Sequence, residues 1–208
     1  MKDLFYGITA GLLIGIGGTV FLSLVNADNK LAGAIFFAVA LICICAKGYS
    51  LYTGKVGFMA YNHKGKDFVN LLMCFIGNLI GTVVSGLAIM YALPAVSDAA
   101  KTICEAKLTQ SLPEAFIRAV FCGILMYLAV AVYREKNTYV GILFCVPVFI
   151  LSGFEHSIAN MYYFAVAGMG TLSVIGYILL IVLGNSVGGL LFPILGMLAE
   201  SGKGKESK

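Results

Sequence analysis

Charge is scarce in this 208-residue sequence: Asp, Glu, Lys and Arg make up 12% of it, against 60% hydrophobic residues. A soluble domain carries about 25% charged residues, so an ordinary water-exposed globule is excluded. Histidine is scarcer still, with two residues, His63 and His156. Glu155-His156 lacks the second histidine of a His-Glu-x-x-His zinc site, so metal catalysis, and with it an enzymatic role, is not expected, and no metal or other cofactor is called for. The net charge of +4 is small and its basic residues are not interleaved with aromatics, which argues against nucleic-acid binding. The first apolar stretch lacks an Ala-x-Ala cleavage site and reads as a retained helix, not a signal peptide. The six cysteines do not make a secreted disulfide framework. Cys43, Cys45, Cys74, Cys122 and Cys145 fall inside apolar stretches, where a thiol serves as a small packing group. Cys43-x-Cys45 is no metal pair, because neighbours two apart diverge on a helix and no second pair follows.

What the sequence does have is long apolar stretches, at Gly7 to Val25, Leu31 to Tyr61, Phe68 to Leu93, Ala115 to Tyr133, Tyr139 to Ala167 and Leu172 to Leu198. A helix needs about 20 residues to cross the hydrocarbon of a bilayer, so these predict a polytopic, all-α membrane protein with six spans. The second and fifth stretches are about 30 residues long with polar residues at their centres, and are expected to be broken helices. Lys2, Lys64, Lys66, Arg134, Lys136, Lys203, Lys205 and Lys208 fall on one side of such a bundle, Lys30, Lys101 and Lys107 on the other. Positive residues collect inside, so both termini are expected to be cytoplasmic, in the cytoplasmic (inner) membrane. One channel domain is read over 1–200, with a charged tail at 201–208.

Gly77-Asn78-Leu79-Ile80-Gly81 in the third stretch reappears as Gly184-Asn185-Ser186-Val187-Gly188 in the sixth. The chain reads as two copies, about 7–94 and 114–199. With three spans each the copies must run in opposite directions, the inverted-repeat plan of many transporters. Small residues let helices approach closely and an Asn can bond across the seam, so Asn78 and Asn185 read as scaffold, leaving selectivity to the two interruptions.

The first interruption is Lys47-Gly48-Tyr49-Ser50-Leu51-Tyr52-Thr53-Gly54-Lys55. Two readings stand for it: a loop whose Thr53 hydroxyl meets a passing solute, or a kink satisfied by its own threonine. Lys47 and Lys55 either snorkel to an interface or bond the loop's free carbonyls, with anion attraction a further role. The second interruption is Ser152-Gly153-Phe154-Glu155-His156-Ser157-Ile158-Ala159-Asn160-Met161. Ionisable residues within a span are rare unless paired or facing a cavity. Because adjacent helical residues face apart, His156 points to a pathway if Glu155 turns inward to satisfy freed backbone donors; a purely structural histidine is the alternative. Asn160 would orient backbone or His156. Neither interruption holds an Asn-Pro-Ala motif, which weighs against a water or glycerol channel.

Gly153 to Met161 resembles the fifth-helix signature of the formate/nitrite transporters, a family of pentameric anion channels. Gly48-x-x-Leu51-Tyr52-Thr53 is similar to that family's Gly-x-Glu-Leu-Phe-Thr loop, and both Gly-Asn-x-x-Gly segments match its third and sixth helices. The resemblance covers nearly the whole chain. It implies an aquaporin-like protomer with its own pore, small monovalent anions as substrate, and a homopentamer in the lipid bilayer. It makes His156 the central pore histidine, Thr53 the hydroxyl beside it, and Leu51, Phe37, Leu41 and Phe149 the apolar constrictions, with Tyr52 in a supporting place. Phe149 lies seven residues before His156, two turns along the same helical face. Two positions depart from the family pattern: Ser50 replaces the loop Glu, and Tyr127 stands where a fourth-helix Asn is usual. Lys107 and Arg118 are approximate counterparts of a basic residue at the entrance.

The function expected from these residues is passage of a weak-acid anion such as formate, nitrite or hydrosulfide. Desolvating a bare anion between Phe and Leu side chains is costly, so protonation at or near His156 would let it cross as the neutral acid. An aquaporin-like channel for small neutral solutes is the alternative.

Overall fold

The structure is a computed structural model that describes residues 1–61 and 63–206, with side chains described as far as Ser201. Among the described residues there are nine α-helices, one 3-10 helix and no strand. Helices α1 (Lys2–Asn26), α2 (Lys30–Lys47), α4 (Gly65–Ala92), α6 (Leu112–Lys136) and the stretch Leu172–Ser201 of α9 (Leu172–Glu206) are long and apolar enough to cross a membrane. Between α2 and α4 lie α3 (Tyr52–Lys55) and the 3-10 helix Val56–Ala60, and α5 (Pro94–Leu108) precedes α6. Between α6 and α9 the chain forms two short helices, α7 (Val140–Leu151) and α8 (Ser157–Val166). Of the tail expected over 201–208, the side chains of Lys203, Lys205 and Lys208 lie outside the described residues.

The helix ends follow local chemistry. The Asn29 side chain accepts from the Ala32 amide and caps α2. Proline opens α5 and lies in the first turn of α6, where its missing N–H costs no hydrogen bond. Asn137, with φ 49°, ends α6 in the left-handed region.

Two close helix pairs hold the bundle, α1 with α4 and α6 with α9. Glycine makes each pair possible. A Cβ on Gly77 would lie 2.3 Å from the Leu4 carbonyl oxygen, and one on Gly81 2.2 Å from that of Ile8. In the other pair, a Cβ on Gly188 would lie 1.9 Å from the Val120 oxygen. Small residues allow this backbone-to-backbone approach. Helices α2, α7 and α8 fill the space between the pairs, and the core comprises buried side chains such as Ile14, Leu22, Ile142, Ile158 and Tyr162. Large apolar side chains remain exposed on the outward faces of α4 and α9, among them Phe68, Leu72, Val84, Leu179 and Leu183. In water such a surface would aggregate; it suits a protein whose solvent is hydrocarbon.

Candidate functional site

Two irregular segments meet inside the bundle and share one backbone design. Helix α2 stops at Gly48, whose φ of 67° is left-handed. The amides of Gly48 and Tyr49 close onto the carbonyls of Cys45 and Ile44. Leu51 is then extended, and α3 starts at Tyr52. Helix α7 ends just before Gly153, with φ 70°, and the amides of Gly153 and Phe154 close onto Ile150 and Phe149. His156 is extended, and α8 starts at Ser157.

An asparagine ties each segment down. Asn78 Oδ1 accepts from the Tyr52 amide at 2.8 Å, while its Nδ2 donates to the carbonyls of Ser50 and Gly7 at 2.8 and 2.9 Å. Asn185 Oδ1 accepts from the Ser157 amide at 2.8 Å, and its Nδ2 donates to Glu155 and Ala119, both at 2.8 Å. Each satisfies a first-turn amide and a carbonyl freed by the interruption, groups that would be unpaired in an apolar interior. The bonds to Gly7 and Ala119 cross the helix seams, as a scaffold role requires, and those to the two segments extend that role. Each Asn joins the helix seam to the loop, because the glycines beside it let the loop come within reach.

His156 and Thr53 meet at the centre, with His156 Nε2 2.9 Å from Thr53 Oγ1, and both side chains are buried. The His156 Nδ1 accepts from the Ala159 amide at 3.0 Å and caps α8. An imidazole that accepts at Nδ1 carries its proton on Nε2 when neutral, so Nε2–H donates to Thr53. The Phe149 ring stacks on the imidazole with centroids 5.5 Å apart and an interplanar angle of 21°, and meets Phe37 edge-on at 6.3 Å. Seven residues of one helix would separate Phe149 and His156 by about 10 Å along the axis. The shared-helical-face reading is corrected: the left-handed turn at Gly153 ends the helix and folds the imidazole onto the ring. Leu51 and Leu41 are likewise buried.

Cavities flank this centre. One, of about 520 Å³, reaches His156, Phe149 and Asn160 and is lined by Lys30, Lys107 and Arg118. The other, of about 220 Å³, touches Leu41, Leu51 and Gly54 and is lined by Lys55 and Arg134. Lysine and arginine side chains thus line both cavities, accompanied in the larger one by Glu114 and Glu155, with buried Phe37, Leu41, Leu51 and Phe149 near the centre.

The polar partners differ from those expected. Glu155, 1% exposed, accepts from three side chains: Lys107 Nζ at 2.5 Å, Gln110 Nε2 at 2.9 Å and Asn160 Nδ2 at 2.9 Å. It does not satisfy freed backbone donors, which Asn185 already serves in part, and Asn160 orients Glu155 and not His156. Arg118 pairs with Glu114 and donates to the Gly153 carbonyl at 3.5 Å. Lys55 bonds Asp3 Oδ1 and Ser50 Oγ, each at 2.8 Å, and not loop carbonyls. Lys47 is exposed at the end of α2. The Tyr52 hydroxyl pairs with Ser186 Oγ at 2.9 Å, and that of Tyr127 with Tyr61 at 3.2 Å. Gln110 and Asp3 were not singled out by the sequence. Gln110 has no local signal, whereas Asp3 is the only acid before Asp28 and Lys55 needs a counter-charge.

An apolar helical bundle with two interrupted segments and a cavity on either side of a buried polar pair defines a membrane transport protein. The chain belongs to the formate/nitrite transporter family, whose sequence profile, described as Formate/nitrite transporter, matches residues 1–199. The nitrite transporter NirC of Escherichia coli (strain K12) is 31% identical over 213 residues, covering 90% of this chain and 79% of NirC. The formate channel FocA of the same organism is 27% identical over 189 residues, covering 78% of this chain and 65% of FocA. A solved pentameric formate channel with formate bound superposes with a TM-score of 0.80 at 25% identity, covering 95% of each chain.

Proposed function

We propose that the protein is a channel for small monovalent weak-acid anions, formate, nitrite or hydrosulfide, across the cytoplasmic membrane. The observation that carries this reading is the His156–Thr53 pair, buried beside Leu51 and Phe149 and flanked by two cation-lined cavities. The names of the relatives support formate and nitrite as substrates.

In the mechanism, an anion enters a mouth drawn by the cations there and by the positive end of a short helix. It loses most of its hydration beside the apolar side chains, where charge is most costly. Protonation at or near His156 converts it to the neutral acid, which crosses the constriction and returns the proton to water on the far side. The Nε2–H group, aimed by the Ala159 amide acting on Nδ1, is the hydrogen-bond donor that meets the solute when it displaces Thr53, while the proton that neutralises the anion is taken from water on the entry side. Cations at both mouths favour an anion over a neutral solute.

The architecture that goes with this is six spans in two inverted three-helix repeats, about 7–94 and 114–199. Helix α2 with the segment 52–60 forms one broken span, and α7 with α8 the other. The matching bonds of Asn78 and Asn185 support this symmetry. Both termini lie in the cytoplasm, five protomers assemble, and lipid meets the exposed faces of the spans.

The test is uptake by proteoliposomes of formate, nitrite and hydrosulfide side by side, at acid and neutral pH, with urea and water as neutral solutes. Saturating anion flux that rises with acidity is expected. Passage of urea or water without any of the anions would refute the reading.

A further inference from the structure

The two interruptions differ in where they keep their charges. Ser50 and Glu155 occupy matching places: their carbonyls accept from Asn78 and Asn185 at 2.8 Å. Their amides reach the Tyr6 carbonyl at 3.4 Å and the Arg118 carbonyl at 3.3 Å. The side chain five residues on turns back in both, Lys55 Nζ to Ser50 Oγ at 2.8 Å and Asn160 Nδ2 to Glu155 Oε2 at 2.9 Å. Around Glu155 the carboxylate sits on the interruption and the cation, Lys107, comes from α5. Around Ser50 the interruption supplies a hydroxyl and the cation, Lys55, and the carboxylate arrives from α1: Asp3 Oδ1 takes hydrogen bonds from Lys55 at 2.8 Å and from Ser50 at 3.1 Å.

We propose that Asp3 is the counter-charge of this mouth, supplying from α1 the carboxylate that Ser50 lacks and thereby setting how strongly the mouth holds an anion. Lys55 lines the 220 Å³ cavity beside Leu51, together with Arg134, which lies over the Phe58 ring at 4.1 Å. Asp3 offsets Lys55, and in the adjoining cavity of about 250 Å³ Asp3 and Asp67 line the wall together with Lys55 and Arg134, so the Asp3 carboxylate decides whether positive charge is in excess here. This rests on the pore reading above. It assigns Asp3 a part through Lys55, as a positioning residue that does not touch the solute at the constriction.

Charge and mere structure give opposite expectations, which makes the proposal testable with formate as probe. Half-saturating formate and maximal flux are measured from the Asp3 side in oriented membrane vesicles. Asp3→Asn frees the Lys55 charge; half-saturation falls roughly three- to tenfold, the effect of one charge several ångströms away through partly solvated protein, and maximal flux falls as release slows. Lys55→Met exposes the carboxylate and raises half-saturation by a similar factor. Asp3→Asn combined with Ser50→Glu returns the carboxylate at the matching place and restores both values. If Asp3→Asn alone does not fold, Lys55→Met and the doubly substituted chain carry the same comparison. Shifts in one direction for both single variants, or no restoration by Ser50→Glu, overturn the proposal while wild-type flux leaves the pore reading standing. Absence of saturating formate flux in the wild-type protein overturns the pore reading and the proposal together.

Discussion

Replacing Lys107 with methionine removes the ammonium that lies 2.5 Å from Glu155 Oε2 and strands a carboxylate that is 1% exposed. Breaking a buried ion pair from one side costs about 3–5 kcal/mol, because the remaining charge loses its compensation without regaining water. Gln110 and Asn160 still donate to Glu155, which places Lys107→Met near the lower end of that range. Glu155→Gln acts differently. It removes the charge from the buried partner and leaves Lys107, whose side chain is 14% exposed on the wall of the large cavity, free to turn toward water. Its cost is the loss of a charged hydrogen bond, about 1.5–3 kcal/mol. The two substitutions together leave no uncompensated charge, so their combined cost falls below the sum of the singles. Thermal unfolding of the purified protein in detergent, followed for the four chains of this cycle, measures the ordering. Lys107→Met as the most destabilised single variant, with a partial recovery in the double, is the expected result. Glu155→Gln as the more damaging single, or strictly additive costs, would refute the claim that desolvation of Glu155 governs this site.

Three further outcomes follow from the same geometry. Asn185→Ala orphans the Ser157 amide and the Glu155 carbonyl and removes a second bond to the Ala119 carbonyl, which its helix still pairs; at about 1–3 kcal/mol per buried group left unpaired, yield and thermal stability drop sharply in detergent unfolding assays. Gly188→Ala drives a Cβ against the Val120 carbonyl and forces α6 from α9, costing at least the ~1–3 kcal/mol typical of overpacking, whereas Gly196→Ala, with open space around its Cβ position, leaves the melting temperature unchanged. Leu51→Ala removes a buried side chain next to the cavity of about 220 Å³, and passage of an anion larger than formate, such as lactate, rises in proteoliposome uptake.

The helical class and the ends of α2 and α7 are legible in the sequence because they depend on local chemistry: apolar length, and a glycine where the chain turns left-handed. Gly48 and Gly153 announce those turns by residue type alone. The partners of Glu155 are not legible, because Lys107 at the end of α5 and Gln110 in the connection after it lie more than forty positions away, and no periodicity encodes which donors converge on a carboxylate. The stacking of Phe149 on His156 misleads a linear reading for a related reason. Spacing along one helix presumes that the helix continues, and here the break between the two residues changes their separation. Asp3 and Lys55 are joined across 52 positions, so the missing loop carboxylate looks like a loss in sequence and becomes a relocation in three dimensions. Asn78 and Asn185 were visible as motif residues, but their second task needs the interruption brought alongside, which depends on the glycine seams.

The central claim is that His156 is where a weak-acid anion is converted for passage through the apolar constriction. It is tested most directly by formate uptake into proteoliposomes at acid and neutral pH for the wild-type protein, His156→Asn and Thr53→Val. The account predicts that His156→Asn loses the rise of flux with acidity, and that Thr53→Val, which leaves the Nε2–H without its partner, keeps the pH dependence while altering the rate. An unchanged flux and pH profile in His156→Asn would contradict it.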